Sequence, residues 1–426
     1  MQRTSVELFA GGGGLVQAGE KAGFRHLLLN EFAKRACETL EANGYKACEE
    51  GARPSLPKAG EKAPLVAGDV RKLDMEYLRE QEVDLLAGGP PCQPFSLGGV
   101  AKGDEDQRNM FPEMFRAVRE IRPKAVLCEN VRGLLRPSFK PYFDYIQREL
   151  ELPFVERREG TAWFEHDRVL LERLKSEDTD PSERYEVLKM SVNAANYGVP
   201  QIRNRVILVA FRADLGVDLE AVEKALRPTH SEAALVRTFL DGSYWGEGRH
   251  SDVEQHVQDR VMARYGDELP FGEGDDGGLA PWRTLRDAIE GLPPINLKKL
   301  DKDTPQGGVP DHIGWPGAKI YDGHTPNELD RPAKTVKAGV HGVPGGESVM
   351  LLDDRKKDEG SGVWTYLHRY MTVRETARVM TFRDDWKLKG PRGERMRQLG
   401  NAVPVQLGEV FVKAVADALD VAEKRT

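Results

Sequence analysis

Long hydrophobic runs are missing from this 426-residue chain. No window comes near the roughly 18 consecutive apolar residues that a membrane helix needs. The start, MQRTSVELFAGGGG, has neither the basic flank nor the apolar core of a secretory signal, so a cytoplasmic setting is expected. Cysteine is scarce. The four present, Cys37, Cys48, Cys92 and Cys128, form no CxxC pair, which excludes a cysteine-built zinc site and a disulfide framework and predicts reduced thiols. No metal is expected. A basic excess is missing too: 62 Lys and Arg against 69 Asp and Glu give −7, which taken alone argues against a polyanionic partner. The acidity is local, however. Residues 212–276 hold seven basic and fifteen acidic side chains, whereas 350–400 hold twelve basic and eight acidic, so net charge is a poor guide to the partner. A hydrophobic content of 39% excludes disorder and suits a soluble protein of two or three domains.

Apolar runs alternate with amphipathic stretches through the first two hundred residues, the pattern of βαβ units and a mostly parallel sheet, hence an α/β fold. Strands are predicted at Ser5–Phe9, His26–Asn30, Val83–Ala87, Ala125–Cys128, Val187–Val192 and Val206–Ala210. Helices are predicted at Leu15–Ala22, Ala33–Asn43 and Phe111–Ile121, the last stopped by Pro123. Residues 156–186 read as a charged, largely helical and solvated surface stretch. From 212 the apolar periodicity weakens, PFGEGDDGG at 270–278 reads as a loop, and an irregular second domain is expected. Regular structure is expected again at Thr372–Phe382, and Val405–Ala422 reads as an amphipathic closing helix. An open α/β sheet binds ligands beyond the carboxyl ends of its strands, so chemistry is sought in the loops there.

Ser5–Phe9 runs into Ala10-Gly11-Gly12-Gly13-Gly14 and a helix, a turn that lets backbone approach a ligand and leaves helix N–H groups free. The next strand ends at Asn30-Glu31, an acidic residue about 20 positions on, as a ribose diol requires. Together they point to an adenosine-containing ligand. Asp69, after Gly68, reads either as a turn residue or as an acceptor for an adenine amino group.

Gly88-Gly89-Pro90-Pro91-Cys92-Gln93-Pro94-Phe95-Ser96 follows another predicted strand. Unlike a buried cysteine in an apolar run, Cys92 stands in a rigid Gly/Pro frame at the sheet edge, the setting of a nucleophile. The Gly- and charge-rich stretch from Leu97 to Met110 suits a lid. Cys128-Glu129-Asn130-Val131 brings a carboxyl group to the same edge. Arg203 and Arg205, at spacing two before Val206, share a face if the segment is extended and suit an anion or a base edge. In Gln398-Leu399-Gly400-Asn401-Ala402-Val403-Pro404, Asn401 either caps the last helix or reaches a cofactor.

FAGGGGL, GGPPCQPFS, ENV, NAANYGVPQIRNR, RPAKTV and GNAVPV, spread from residue 5 to about 412, resemble in order and approximate spacing the DNA (cytosine-5) methyltransferases, bacterial enzymes of restriction-modification or phage-defence systems. The resemblance implies a Rossmann-like class I S-adenosylmethionine-dependent domain at 1–211, completed by 399–426. It also implies a smaller, irregular target recognition domain at 212–365 and a hinge at 366–398. It assigns the cofactor to Phe9 (adenine packing), Gly11 and Gly13 (methionine end), Glu31 (ribose), Asp69 (adenine amino group), Pro91, Met110 or Phe111, Asn401 and Val403. The expected product is S-adenosylhomocysteine.

The same resemblance implies covalent catalysis. Cytosine C5 is a poor nucleophile, so a Cys92 thiolate adds to C6 and makes C5 enamine-like. A thiol of ordinary pKa, about 8.5, is only a few per cent ionised at neutral pH, so the loop must favour the thiolate. Glu129 contacts N3 and the exocyclic amine, Arg205 holds O2, and Arg203 supports the site and the backbone. The cytosine must leave the stack for this to happen. Double-stranded DNA is the implied partner, with Gln93, Ser96, Gln201, Arg331, Lys334 and Lys337 at the interface. Lys298, Lys299, Lys302, Lys319 and the segment His341–Gly346 are candidate recognition elements. A monomer is expected, with restriction or defence proteins as possible further partners.

Three departures stand out: Glu7 where many relatives have Asp, the inserted stretch at 156–186, and acidity in 212–276. A transfer-RNA cytosine-5 methyltransferase has a compact recognition region, whereas long spacing separates Arg205 from Arg331 here. A non-catalytic DNA-binding regulator is disfavoured by Cys92, Glu129 and both arginines. A nicotinamide oxidoreductase explains only the glycine turn and Glu31.

Overall fold

Eight short strands rich in Leu, Val and Ile build the centre of the protein. In a computed structural model that describes residues 2–91, 109–176, 179–265, 278–323, 325–338 and 348–425, they are β1 Thr4–Leu8, β2 Arg25–Glu31, β3 Lys46–Cys48, β4 Pro64–Ala67, β5 Leu85–Gly88, β6 Ala125–Val131, β7 Tyr185–Asn193 and β8 Asn204–Arg212. They form one sheet in the order β3-β4-β2-β1-β5-β6-β8-β7. The pairings from β3 to β6 are parallel, and β8 runs antiparallel to both of its neighbours. The chain order turns between β1 and β5, which places the ligand crevice at their carboxyl ends. Because β8 is reversed, its first residues reach the same edge as the last of β6, with Arg205 paired to Val131.

Helices cover both faces, as a parallel sheet requires. One face packs Val6, Leu86, Val126 and Leu208 against α3 Phe111–Ile121 and α4 Lys140–Glu151. The other packs Leu85, Ala87, Leu127 and Val209 against the closing helix Val405–Glu423. A third cluster joins α1 Gly14–Lys21 and α2 Lys34–Ala42 to residues 373–405 through Leu40, Tyr45, Met380 and Trp386.

The predicted helices fall on α1, α2 and α3, and the closing helix extends one residue beyond its expected end. The stretch 156–186 is less solvated than expected. Within it, α5 Trp163–Leu174 packs on α4: His166 is buried, facing Tyr145 Oη and the Val155 carbonyl, and Asp167 accepts from Arg148 at 2.6 Å.

The region after 212 is more regular than its sequence suggests. It holds α6 Leu219–Ala225, α7 Glu232–Leu240, α8 Gln255–Tyr265, α9 Leu285–Ile289 and a small parallel pair, β9 His230–Ser231 with β10 Ala280–Pro281. A hairpin of β11 Val349–Lys357 and β12 Trp364–Tyr370 precedes α10 Val373–Val379. Regular structure therefore resumes before Thr372. The stretch expected as a hinge carries a buried polar network, with Arg369 donating to Glu375 at 2.5 Å and Arg374 2% exposed. It continues into α11 Arg392–Asn401 and then α12 Val405–Glu423. The 270–278 loop lies outside the described residues except for Gly278. Among the described residues no helix is long and apolar enough to cross a membrane.

Candidate active site

The glycine loop is shaped from above by the carboxyl-terminal segment. Gly13 has φ +90°, and a Cβ there would lie 2.4 Å from the Trp386 ring. A Cβ at Gly14 would lie 2.3 Å from the Val403 carbonyl oxygen. Trp386 is 1% exposed and donates through Nε1 to the Gly12 carbonyl at 3.0 Å. These two glycines are thus required by close packing against protein. Gly11 differs: it has φ +55°, and a Cβ there would meet nothing nearer than the Phe9 carbonyl at 3.9 Å, so its open side is free for a ligand. Phe9 itself adopts φ 57°, a left-handed conformation rarely tolerated by a non-glycine residue, at the first turn of this loop.

Glu31 ends β2 beside the loop. Its two oxygens accept from Gly11 N–H at 2.7 Å and Ala33 N–H at 2.6 Å. Burial pushes its pKa up, opposed by those main-chain donors. Phe32 follows it and is 75% exposed, an aromatic ring at the crevice that no core packing accounts for. A large aromatic directly after a strand-end acid is the sequence signal for it. Asp69 turns its carboxylate onto Arg71, accepting from Nε at 2.9 Å and from the amide at 3.0 Å, and this pairing lowers its pKa. The turn reading therefore describes its present contacts. Phe111 is core, stacked on Phe115, whereas Met110 is only partly buried. Val403 is buried against the sheet and Asn401 is exposed. Asn401 does not cap the closing helix: it ends α11, and the cap position is Pro404, which follows without a side-chain hydrogen bond.

The second corner lies between β5, β6 and β8. Asn130 Nδ2 donates to the Pro90 carbonyl at 3.0 Å, and Met110 N–H donates to the Pro91 carbonyl, so both ends of the Cys92 loop are held. Pro91 itself is exposed. Glu129 is 8% exposed, and its Oε1 lies 2.7 Å from Arg205 Nε. The two sit diagonally across β6 and β8, on one face. Oε1 nevertheless lacks an aligned donor, so the contact is an ion pair without a well-directed hydrogen bond. Cys92, Gln93 and Ser96 lie outside the described residues, as does the candidate lid up to residue 108.

Arg203 and Arg205 have different partners. Arg203 is 1% exposed and donates to the carbonyls of Gly400 (2.8 Å), Ala402 (2.9 Å) and Val336 (3.0 Å). Burial, with Arg205 nearby, lowers its pKa strongly. It fastens the segment before β8 to the junction of α11 and α12. Gln201 is completely buried, accepting from the Val336 amide and facing the Met380 sulfur, so in this arrangement its side chain is engaged by protein and offers no surface to DNA. Arg331 pairs with Glu232 at 3.0 Å and Lys334 donates to the Thr325 carbonyl at 2.5 Å, while Lys337 is exposed. Lys298, Lys299, Lys302 and Lys319 are exposed, and 341–346 lies outside the described residues. Trp386 is the residue that sequence reasoning misses, although a tryptophan among Asp384, Asp385 and Lys387 marks a buried anchor in a polar stretch.

A parallel sheet with one reversed strand near its end, a glycine loop at the β1/β5 switch and a Glu–Arg pair at the neighbouring strand ends define a Rossmann-like α/β methyltransferase. Among protein families, residues 3–152 and 168–417 match the C-5 cytosine-specific DNA methylases. The match is interrupted at 153–167, where α5 begins. The chain belongs to this family and is a DNA (cytosine-5-)-methyltransferase. It is similar to the type II methyltransferase M.Eco47II of Escherichia coli, 33% identical over 99% of this chain and 81% of that protein. It is also similar to M.PspPI of Psychrobacter, 31% identical over 98% of this chain and 80% of that one. Among solved structures it shares its fold with a putative DNA modification methyltransferase encoded within a prophage of E. coli (TM-score 0.53, 19% identity, 98% of this chain and 99% of that one). S. pombe Dnmt2 methyltransferase is also similar in fold (TM-score 0.52, 16% identity, 99% and 100%).

Proposed function

We propose that this protein transfers a methyl group from S-adenosylmethionine to C5 of a cytosine flipped out of a specific duplex DNA sequence, through a covalent Cys92–C6 adduct. The observation that carries the reading is the Glu129–Arg205 pair at 2.7 Å, set beside the Pro90–Pro91 segment that Asn130 grips and that leads directly into Cys92. The division of labour follows: 1–211 with 399–426 for cofactor and chemistry, 212–365 for recognition and 366–398 connecting them. Full-length similarity to type II methyltransferases supports a restriction-modification setting.

The crevice residues fit the cofactor. Gly11 has an open side, Glu31 keeps a second lone pair on each oxygen for the ribose hydroxyls, and Phe9, Phe32 and Met110 supply apolar surface for adenine. S-adenosylmethionine supplies an electrophilic methyl group on a cationic sulfur. At the other corner, Arg205 donates to cytosine O2 and Glu129 faces N3 and the exocyclic amine. As the Cys92 thiolate bonds to C6, the C5–C6 π pair moves to C4–C5 and the C4=N3 pair moves onto N3, which takes up a proton delivered through Glu129. C5, now enamine-like, takes the methyl group. Loss of the C5 proton then re-forms the double bond as Sγ leaves C6.

Transfer of labelled methyl groups to duplex DNA, with bisulfite sequencing of the product, tests the reading. Cytosine methylated at C5 in one recurring sequence is expected, with Glu129→Gln slowed roughly 10²-fold or more. Methyl groups found on RNA only, or an undiminished Glu129→Gln, would refute it.

A further inference from the structure

Most arginines of residues 369–397 are spent on protein partners: Arg369 on Glu375, Arg378 on Asp384, Arg383 on Asp385, Arg395 on Asp311 and Arg397 on Glu394. Arg392, at the start of α11, is the exception. Its guanidinium lies 5.2 Å from the Trp315 ring and 5.5 Å from the Tyr370 ring, donates once, to the Met371 carbonyl, and leaves Nε buried without a partner. Lys302 approaches the same Trp315 ring at 5.2 Å, so one indole stands between two cations. The turn carrying Lys298 packs onto Gly314, where a Cβ would lie 2.7 Å from Ile295 and Leu300, and Lys319 follows a few residues later.

Among the described residues, none of Lys298, Lys302, Lys319 or Arg392 has a carboxylate within ion-pair distance. Asp301, one of two acids beside Lys302, accepts from the amides of Asp303 and Thr304. These cations thus stand without a direct ion-pair partner on an aromatic platform. Cations held without counter-ions suit a polyanion, and an indole flanked by cations suits sugar-phosphate surface. The position also fits. Along α11, Arg392 and Gly400, whose carbonyl Arg203 holds, are separated by a rise of roughly 12 Å. Arg203 in turn lies beside Arg205, so α11 connects this surface to the Glu129–Arg205 corner.

We propose that this surface, Lys298, Lys302, Trp315, Lys319 and Arg392, grips the phosphodiester backbone of duplex DNA beside the target base and supplies affinity, not sequence choice. The proposal rests on the DNA reading above. It separates these lysines from Arg331, paired with Glu232, and from Lys334, whose ammonium is bonded to Thr325.

The test uses the full chain and a mixed-sequence duplex, with Kd measured from low to moderate salt. Lys298→Gln, Lys302→Gln and Lys319→Gln are made singly and together, with Lys302→Arg as a charge-preserving control. Each neutralised lysine is expected to reduce the slope of log Kd against log salt by about 0.9 and to weaken binding roughly five- to tenfold at moderate salt. Lys302→Arg should keep the wild-type slope, and cofactor affinity and the methylated sequence should not change. A triple variant with the wild-type slope overturns the proposal, and so does a changed methylated sequence, which would mean base readout. Wild-type protein that binds no duplex DNA would instead refute the DNA reading itself.

Discussion

Replacing Trp386 tests whether the carboxyl-terminal segment sets the shape of the cofactor loop. The side chain is 1% exposed, sits against the α-carbon of Gly13 and donates to the Gly12 carbonyl. Truncating a buried tryptophan to alanine costs roughly 3–5 kcal/mol. Leaving the Gly12 carbonyl without its donor adds about 1 kcal/mol. Trp386→Phe keeps most of the volume and loses the indole N–H, so about 1–2 kcal/mol is expected. Because the indole is in contact with the loop, the loss should not be confined to stability: S-adenosylmethionine affinity should fall by roughly tenfold, about 1.4 kcal/mol, in Trp386→Phe. Urea denaturation gives the first quantity and calorimetric titration of the cofactor the second. A phenylalanine variant that loses stability but binds the cofactor as wild type does would show that the loop holds its own shape.

Glu149 is buried on α4, and burial lifts its pKa from 4.5 to about 7. The native state therefore holds this proton more tightly than the unfolded chain, so the stabilisation is full below pH 4.5 and is lost as pH rises through about 7. Glu149→Gln should match wild type near pH 4.5 and exceed it by about 3 kcal/mol above neutrality, and equal pH profiles in denaturation would contradict this. Asn130→Ala releases the Pro90 carbonyl and should lower the methylation rate roughly 10–100-fold while leaving DNA affinity near wild type; an unchanged single-turnover rate would show that the loop needs no such anchor.

The sheet was legible because its central strands are continuous apolar runs separated by glycine and proline punctuation. The glycine turn, the strand-end Glu31 and Glu129 and the proline-framed cysteine announced themselves through residues unusual at those places. β3, at the sheet edge, and its neighbour β4 escaped because runs of three and four residues are too short to show a period. The β11–β12 hairpin escaped because its distal half, Arg355-Lys356-Lys357, is charged and exposed. Burial of polar groups was the least readable property. Gln201, Arg203, His312 and Arg374 look like surface residues in a string, yet each is enclosed with partners that come from distant segments. The tryptophan that closes over Gly13, likewise, stands hundreds of residues away in the chain.

The proposed chemistry turns on Cys92, and a trapped adduct measures it directly. Incubating the protein with S-adenosylmethionine and duplex DNA containing 5-fluorocytosine in the recognised sequence blocks the final proton loss, since C5 then carries fluorine. A protein–DNA species that survives denaturation, carries one methyl group and has its DNA attached at Cys92 by peptide mass spectrometry is the expected result, absent in Cys92→Ser. Efficient methylation of ordinary duplex with no trapped species, or a fully active Cys92→Ser, would contradict the covalent mechanism.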